Sequence, residues 1–160
     1  MDRDAAETFL FREARLLDRR QFRDWQQLFA AQFVYWVPAN DPDADPDENC
    51  SIIYNGPAEL EDRLTRMESD HFWVGDPPIR TLHVVSNVTV DNGGDEASIE
   101  SNLVLYLYRS NDQRRDVPVQ VVPAACEYRV AAADAAPRIT FKKVTLLTCD
   151  GIVPLLPPVI

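Results

Sequence analysis

The sequence predicts an α+β fold, with N-terminal helices packed on one face of a strongly curved antiparallel or mixed sheet. Three observations carry this reading. Helical periodicity is confined to the first 70 residues. Long alternating apolar segments dominate residues 81–150. The stretch Phe22–Pro38 passes from a helical period to a strand period within a few residues. A bent sheet under a helical lid makes a cone, which can enclose a pocket. The 160 residues read as one domain: 1–70 mainly helical, 81–150 a meander of long strands, and 151–160 an apolar tail.

The first helix is predicted over Ala5–Asp18. Ala6, Phe9, Leu10, Ala14 and Leu17 share one stripe, and Glu13 falls on it. A buried carboxylate needs a cation or several donors, so Glu13 is either an ion pair with an arginine or a catalytic acid. Phe22, Trp25, Leu28 and Phe29 continue at helical steps. Phe33–Val37 is then an unbroken β-branched and aromatic run that Pro38 stops. Each large side chain buried there stabilises by roughly 1.5–3 kcal/mol, against a net stability of about 5–15 kcal/mol. Truncation of Trp25 or Trp36 is therefore expected to threaten the fold.

Residues 39–49, ANDPDADPDEN, are too acidic and proline-rich for a regular element. Ser51–Tyr54 reads as a short strand. Pro57, after Asn55-Gly56, opens a third helix with the stripe Leu60, Leu64 and Met67. Ser69–Pro78 is a loop unusually rich in aromatics, carrying His71, Phe72 and Trp73.

Thr81–Val90 alternates, with Leu82, Val84, Val88 and Val90 on one face and His83, Val85, Asn87 and Thr89 on the other. Asn92-Gly93-Gly94-Asp95 is a turn. Ala97–Arg109 is long enough to require strong twist or a bulge. Val117–Val130 contains Pro118 and Pro123, which predict a bulge or an edge position. Arg138–Thr148 is the last long strand. Residues 152–160, IVPLLPPVI, suit neither a helix nor a central strand. That tail is expected to pack on its own domain or on another subunit.

A net charge of −10 and a pI near 4.6 argue against nucleic-acid and anionic-membrane partners. No apolar run approaches the ~20 residues of a membrane span, and no signal sequence is visible. Cys50, Cys126 and Cys149 are odd in number and widely spaced. The expectation is a soluble cytoplasmic protein with reduced thiols and with no nucleic acid and no membrane among its partners.

No dinucleotide fingerprint, P-loop, nucleophile elbow or zinc-protease motif is present. Asp43, Asp45 and Asp47 lack the glycine and glutamate that an EF-hand loop places after them. A mononuclear iron site needs two histidines and a carboxylate, and the chain has only His71 and His83. The constellation to weigh is His83, Tyr35 and Glu13. It is either a proton-abstracting site of a dehydratase or isomerase, or a satisfied polar cluster at a helix–sheet seam.

Four segments resemble the small (β) subunits of aromatic-ring-hydroxylating dioxygenases. They are Glu13-Ala14-Arg15-Leu16-Leu17-Asp18; Phe22-x-x-Trp25-x-x-Leu28-Phe29 with Tyr35-Trp36-Val37-Pro38; Asp62-Arg63-Leu64-x-Arg66; and Pro78-x-Arg80-Thr81-x-His83-x-Val85-Ser86-Asn87-Val88. After Ser110 the correspondence thins. The resemblance implies the cystatin-like cone of nuclear transport factor 2 and scytalone dehydratase. It also implies a non-catalytic subunit that trimerises and joins an α (large) subunit in an α3β3 hexamer. No cofactor is then expected in this chain, and the large subunit would carry the Rieske 2Fe–2S cluster and the mononuclear iron. The complex would add both atoms of O2 to an aromatic ring, with NAD(P)H as ultimate electron donor. Contact residues are expected at Phe72, Trp73 and Arg80 and along the tail, at Val153, Leu155, Leu156 and Ile160. The alternatives are a stand-alone dehydratase or isomerase using His83, Tyr35 and Glu13, or a ligand-binding or dimerisation module.

Overall fold

The computed structural model describes residues 1–43, 45–70, 77–110, 117–133, 136–153 and 155–160. In chain order the elements are α1 (Arg3–Asp18), α2 (Phe22–Gln26), β1 (Phe29–Pro38), β2 (Ser51–Asn55), α3 (Pro57–Glu68), β3 (Arg80–Asp91), β4 (Glu96–Tyr108), β5 (Val119–Ala133) and β6 (Ala136–Leu146). The strands form one sheet in the order β2-β1-β6-β5-β4-β3. β3 to β6 are an antiparallel meander, and β6 then lies parallel to β1. The sheet is therefore mixed, with helices on its inner face, as the sequence predicts.

α1 begins where the Asp2 side chain accepts from the Ala5 N–H, a standard N-cap. It ends in a Schellman motif, in which the Arg20 N–H reaches the Leu17 carbonyl and the Gln21 N–H reaches that of Leu16. The motif requires a left-handed residue, and Arg20 takes that place at φ 58° with its guanidinium over the Phe22 ring. α1 buries Ala6, Phe9, Leu10, Ala14 and Leu17 beneath itself.

The helical period of Phe22–Phe29 extends further than the helix itself. α2 stops at Gln26, and Phe29 already belongs to β1. Packing explains the override: the Trp25 ring stands edge-on to Phe29 at 5.0 Å and to Tyr35 at 5.8 Å. Arg23 ties α2 to α3 by forking onto Glu61 and Glu68, each at 2.8 Å. That network is exposed, so it orients more than it stabilises.

Two expectations about the sheet need correction. The first is the alternation of β3. The ladder to β4 shifts register between Ser86 and Thr89, and Asn87 sits there at φ 53°. One extra residue inverts the faces. Leu82 and Val84 consequently point outward and are exposed, whereas Val88 is buried. The irregularity expected in β4 lies instead in its partner, since the thirteen pairs of β4 with β5 run without a break.

The second concerns β5, for which a bulge or an edge position is expected: it is central and not at an edge, and its ladder to β6 does shift register, between Arg129 and Val130. Pro123 is tolerated because its carbonyl, bonded by the Leu147 N–H, faces the β6 side beyond the last β5–β6 pair, Ala124 with Leu146. Its missing N–H faces the same way, where no ladder bond is needed. Cys149 likewise lies past the end of β6, in a turn, and is buried as a free thiol.

The left-handed backbone at Asn87 gives a direct test. Asn87→Val should lower stability by about 1–2 kcal/mol, whereas Asn87→Gly should not, as read by urea unfolding.

Candidate functional site

The sheet register assembles a polar cluster inside the core. Tyr35 on β1 pairs with Lys142 on β6, which pairs with Tyr128 on β5, so three side chains stand in one row on the inner face. Glu13 on α1 comes down onto that row. Its Oε1 accepts from Lys142 Nζ at 2.7 Å and from Trp25 Nε1 at 3.0 Å, and its Oε2 accepts from the Tyr128 hydroxyl at 2.9 Å. Lys142 Nζ also donates to the Ile160 carbonyl at 2.7 Å. The Tyr35 hydroxyl donates to that same carbonyl and accepts from the Ile160 N–H, both at 2.9 Å. The ammonium sits 5.4–5.7 Å from the ring centroids of Tyr35, Trp25 and Tyr128.

Glu13, Lys142 and the two tyrosines are buried, and each polar group in the cluster has a partner. Burial pushes the Tyr35 hydroxyl well above the ordinary range, and burial with the nearby Glu13 charge does the same to Tyr128. The Cys126 thiol, on the same strand as Tyr128, is pushed up to about 12 by burial. Neutral phenols and a carboxylate occupied on both oxygens are built to hold structure, not to exchange protons with a substrate. The arginine partner expected for Glu13 is a lysine. The signal for it was in the last strand: Lys142 alternates with Val144 and Leu146, which points it inward.

His83 answers to a different residue. Its Nδ1 lies 2.6 Å from Asp18 Oδ1, and its backbone N–H donates to Oδ2 at 3.1 Å. The Thr81 hydroxyl adds a third bond to Oδ1 at 2.9 Å. Asp18 ends α1 and thereby caps the exposed edge of β3, blunting the row of free N–H groups that an edge strand presents. Burial alone would raise the Asp18 carboxyl, but the bonds from His83 and Thr81 outweigh it and hold it below the usual carboxylate range. His83 is thus not brought to Tyr35 and Glu13, and the three-residue constellation is not assembled. Asp18, quoted in the sequence only as a motif terminus, is the partner that sequence reasoning missed.

Of the residues expected at contacts, Phe72 and Trp73, like His71, lie outside the described residues. Arg80 is exposed, with its guanidinium 4.7 Å above the Tyr108 ring. The tail divides. Ile152 and Leu155 are exposed, Val153 and Leu156 are half-buried, and Val159 and Ile160 are buried. Ile160 therefore cannot serve as a surface contact, because Tyr35 and Lys142 hold its backbone inside its own domain. Among the described residues no group of three or more His, Cys, Asp or Glu is placed to hold a metal ion, and no helix is long and apolar enough to cross a membrane.

Two outcomes test this geometry. Glu13→Ala leaves the Lys142 ammonium buried and unpaired and should cost about 3–5 kcal/mol, whereas Glu13→Leu combined with Lys142→Met should recover much of that loss in chemical unfolding. The Asp18 contribution is complete above the ordinary carboxylate pKa of about 3.9. As pH falls through the lowered native value, the unfolded chain takes the proton first and the contribution is lost. Asp18→Asn should therefore flatten the fall in Tm between about pH 5 and pH 2.

The sequence profile of the family described as "Ring hydroxylating beta subunit" matches residues 12–150, well past Ser110. A 2-halobenzoate 1,2-dioxygenase small subunit from Burkholderia cepacia is 38% identical over 87 residues, covering 51% of this chain and 53% of that protein. The chain thus spans about half the length of such curated relatives. The crystal structure of the beta subunit of a benzoate 1,2-dioxygenase from Burkholderia mallei superposes with a TM-score of 0.74 at 28% identity, covering 91% of each chain. A protein from Novosphingobium aromaticivorans with the nuclear transport factor 2-like, cystatin-like fold superposes at 0.63 with 16% identity, over 91% of this chain and 82% of that one, which speaks to the fold alone. With this cone, these motifs and a profile covering most of its length, the chain belongs to the ring-hydroxylating dioxygenase beta subunit family.

Proposed function

We propose that this chain is the non-catalytic β subunit of an aromatic-ring-hydroxylating dioxygenase, a scaffold that trimerises and holds large subunits in an α3β3 hexamer. The large subunits carry the Rieske cluster and the mononuclear iron. The assembled enzyme adds both atoms of O2 to an aromatic ring, with NAD(P)H electrons arriving through separate carriers.

One observation supports a role by adhesion beyond family membership. The β3 bulge leaves the outer face of β3, β4 and β5 uncovered and apolar. Leu82 pairs with Tyr106, which pairs with Val121; Val84 pairs with Val104, which pairs with Pro123; and Arg80 pairs with Tyr108, which pairs with Val119. Leu82 is 56% exposed and Val121 52%. A contiguous apolar sheet face of this kind marks an interaction surface. Arg80 at its corner, stacked on Tyr108, supplies the kind of cation that interfaces favour.

Co-expression with the large chain tests this reading. The complex should sediment as a hexamer, with iron in the large chain only. Leu82→Asp combined with Val121→Asp should leave the circular dichroism of this chain unchanged but weaken self-association at least ~100-fold, the scale expected when central apolar contacts are lost. A monomeric chain that binds no iron-containing partner would count against the scaffold reading.

A further inference from the structure

The assembly role leaves one group unused. The His83 side chain is only 3% exposed. Its Nδ1 is committed to Asp18, and its backbone N–H holds the other carboxylate oxygen, so the ring orientation is fixed. Its Nε2 is buried and has no hydrogen-bond partner among the described residues. The Asp18 carboxylate engages Nδ1, so Nε2 is the ring nitrogen left over for another molecule. A buried ring nitrogen without a partner calls for one, and a hydroxyl can serve it either as donor or as acceptor.

His83 lines a slot whose walls are Leu17, Phe22, Met67 and Ile79, with Arg20 also beside it. Its roof is the strap Pro157-Pro158-Val159. The space inside is about 20 Å³, enough for one oxygen-sized group but not for a ring. The strap has the means to yield. It belongs to no helix or strand, and its two prolines carry no N–H to anchor. Pro158 is tied through its carbonyl to Arg63 Nη1 at 3.2 Å. The deeper anchor, at Ile160, lies on the separate Tyr35–Lys142 cluster.

We propose that this slot is a binding site for a small, neutral, hydroxyl-bearing apolar molecule of phenol size, entering as the Pro157-Pro158 strap lifts. Its hydroxyl bonds to His83 Nε2, and its apolar body lies against Phe22, Met67 and Ile79. Charge selects the class. An ion of either sign would be stripped of water against the mostly apolar walls. A neutral hydroxyl compound avoids that cost. The site is separate from the outer face of β3 to β5, so it does not depend on the assembly reading.

Phenol is the probe, added to the protein as purified, with its large chain if the two co-purify. The expected result is a saturable shift of the His83 Nε2 nitrogen-15 resonance, with an affinity in the millimolar range. Toluene, which has the same shape but no hydroxyl, should bind at least ~10-fold more weakly, the factor an ordinary hydrogen bond supplies. His83→Phe should abolish that discrimination. Met67→Trp, which fills the slot while leaving the imidazole in place, should abolish binding and keeps the test open if the histidine variant does not fold. A His83 signal that phenol does not move, or equal affinities for phenol and toluene, would overturn the proposal. So would a bonded water at Nε2 that phenol does not displace.

Discussion

A charged pair is buried at the centre of this cone, and the rest of the structure is arranged around keeping it satisfied. Glu13 arrives on the first helix and Lys142 on the last strand, 129 residues apart. Neither charge is tolerable inside alone. Their spare hydrogen-bonding capacity is taken by Trp25, Tyr128 and the Ile160 carbonyl. The cluster therefore closes the sheet against α1, clamps the short α2 in place through the indole of Trp25, and draws the end of the tail inward. The chain's own backbone at Ile160 thus occupies the space beside Tyr35 and Lys142.

The second constraint is topological. A single bulge at Asn87 reverses the alternation of β3 partway along. Beyond it Val88 joins the core. Before it Leu82 and Val84 are turned outward beside Tyr106 and Val121. A strand that would otherwise show one face to the core thus divides its apolar residues between core and surface. The buried portion stabilises the monomer, and the exposed portion suits a partner. Asp18 meanwhile closes the β3 edge through His83 and Thr81. The outward face is left open to association, while the adjoining edge is protected from indiscriminate strand pairing.

The two histidine-containing readings of the sequence separate cleanly on this basis. His83 is tied to a motif residue of α1, so two of the segments that mark the family are halves of one contact. That contact also leaves Nε2 buried without a partner, in a residue that lines the slot under the strap.

The sequence by itself determined the α+β class, the order of helices and strands, and the inward stripe of α1, Glu13 included. Periodicity and turn chemistry are local, and local pattern suffices for such features. It also carried the family motifs, which span most of the first 108 residues. Only the tertiary structure decided which charges and donors meet. Lys142 reaches Glu13 because β6 lies beside β1, and His83 reaches Asp18 because α1 crosses β3. Those neighbours are set by strand order and register, quantities that no local period encodes. For the same reason the bulge, one residue long, went unread along with the exposed face it creates: an extra residue changes register without changing composition.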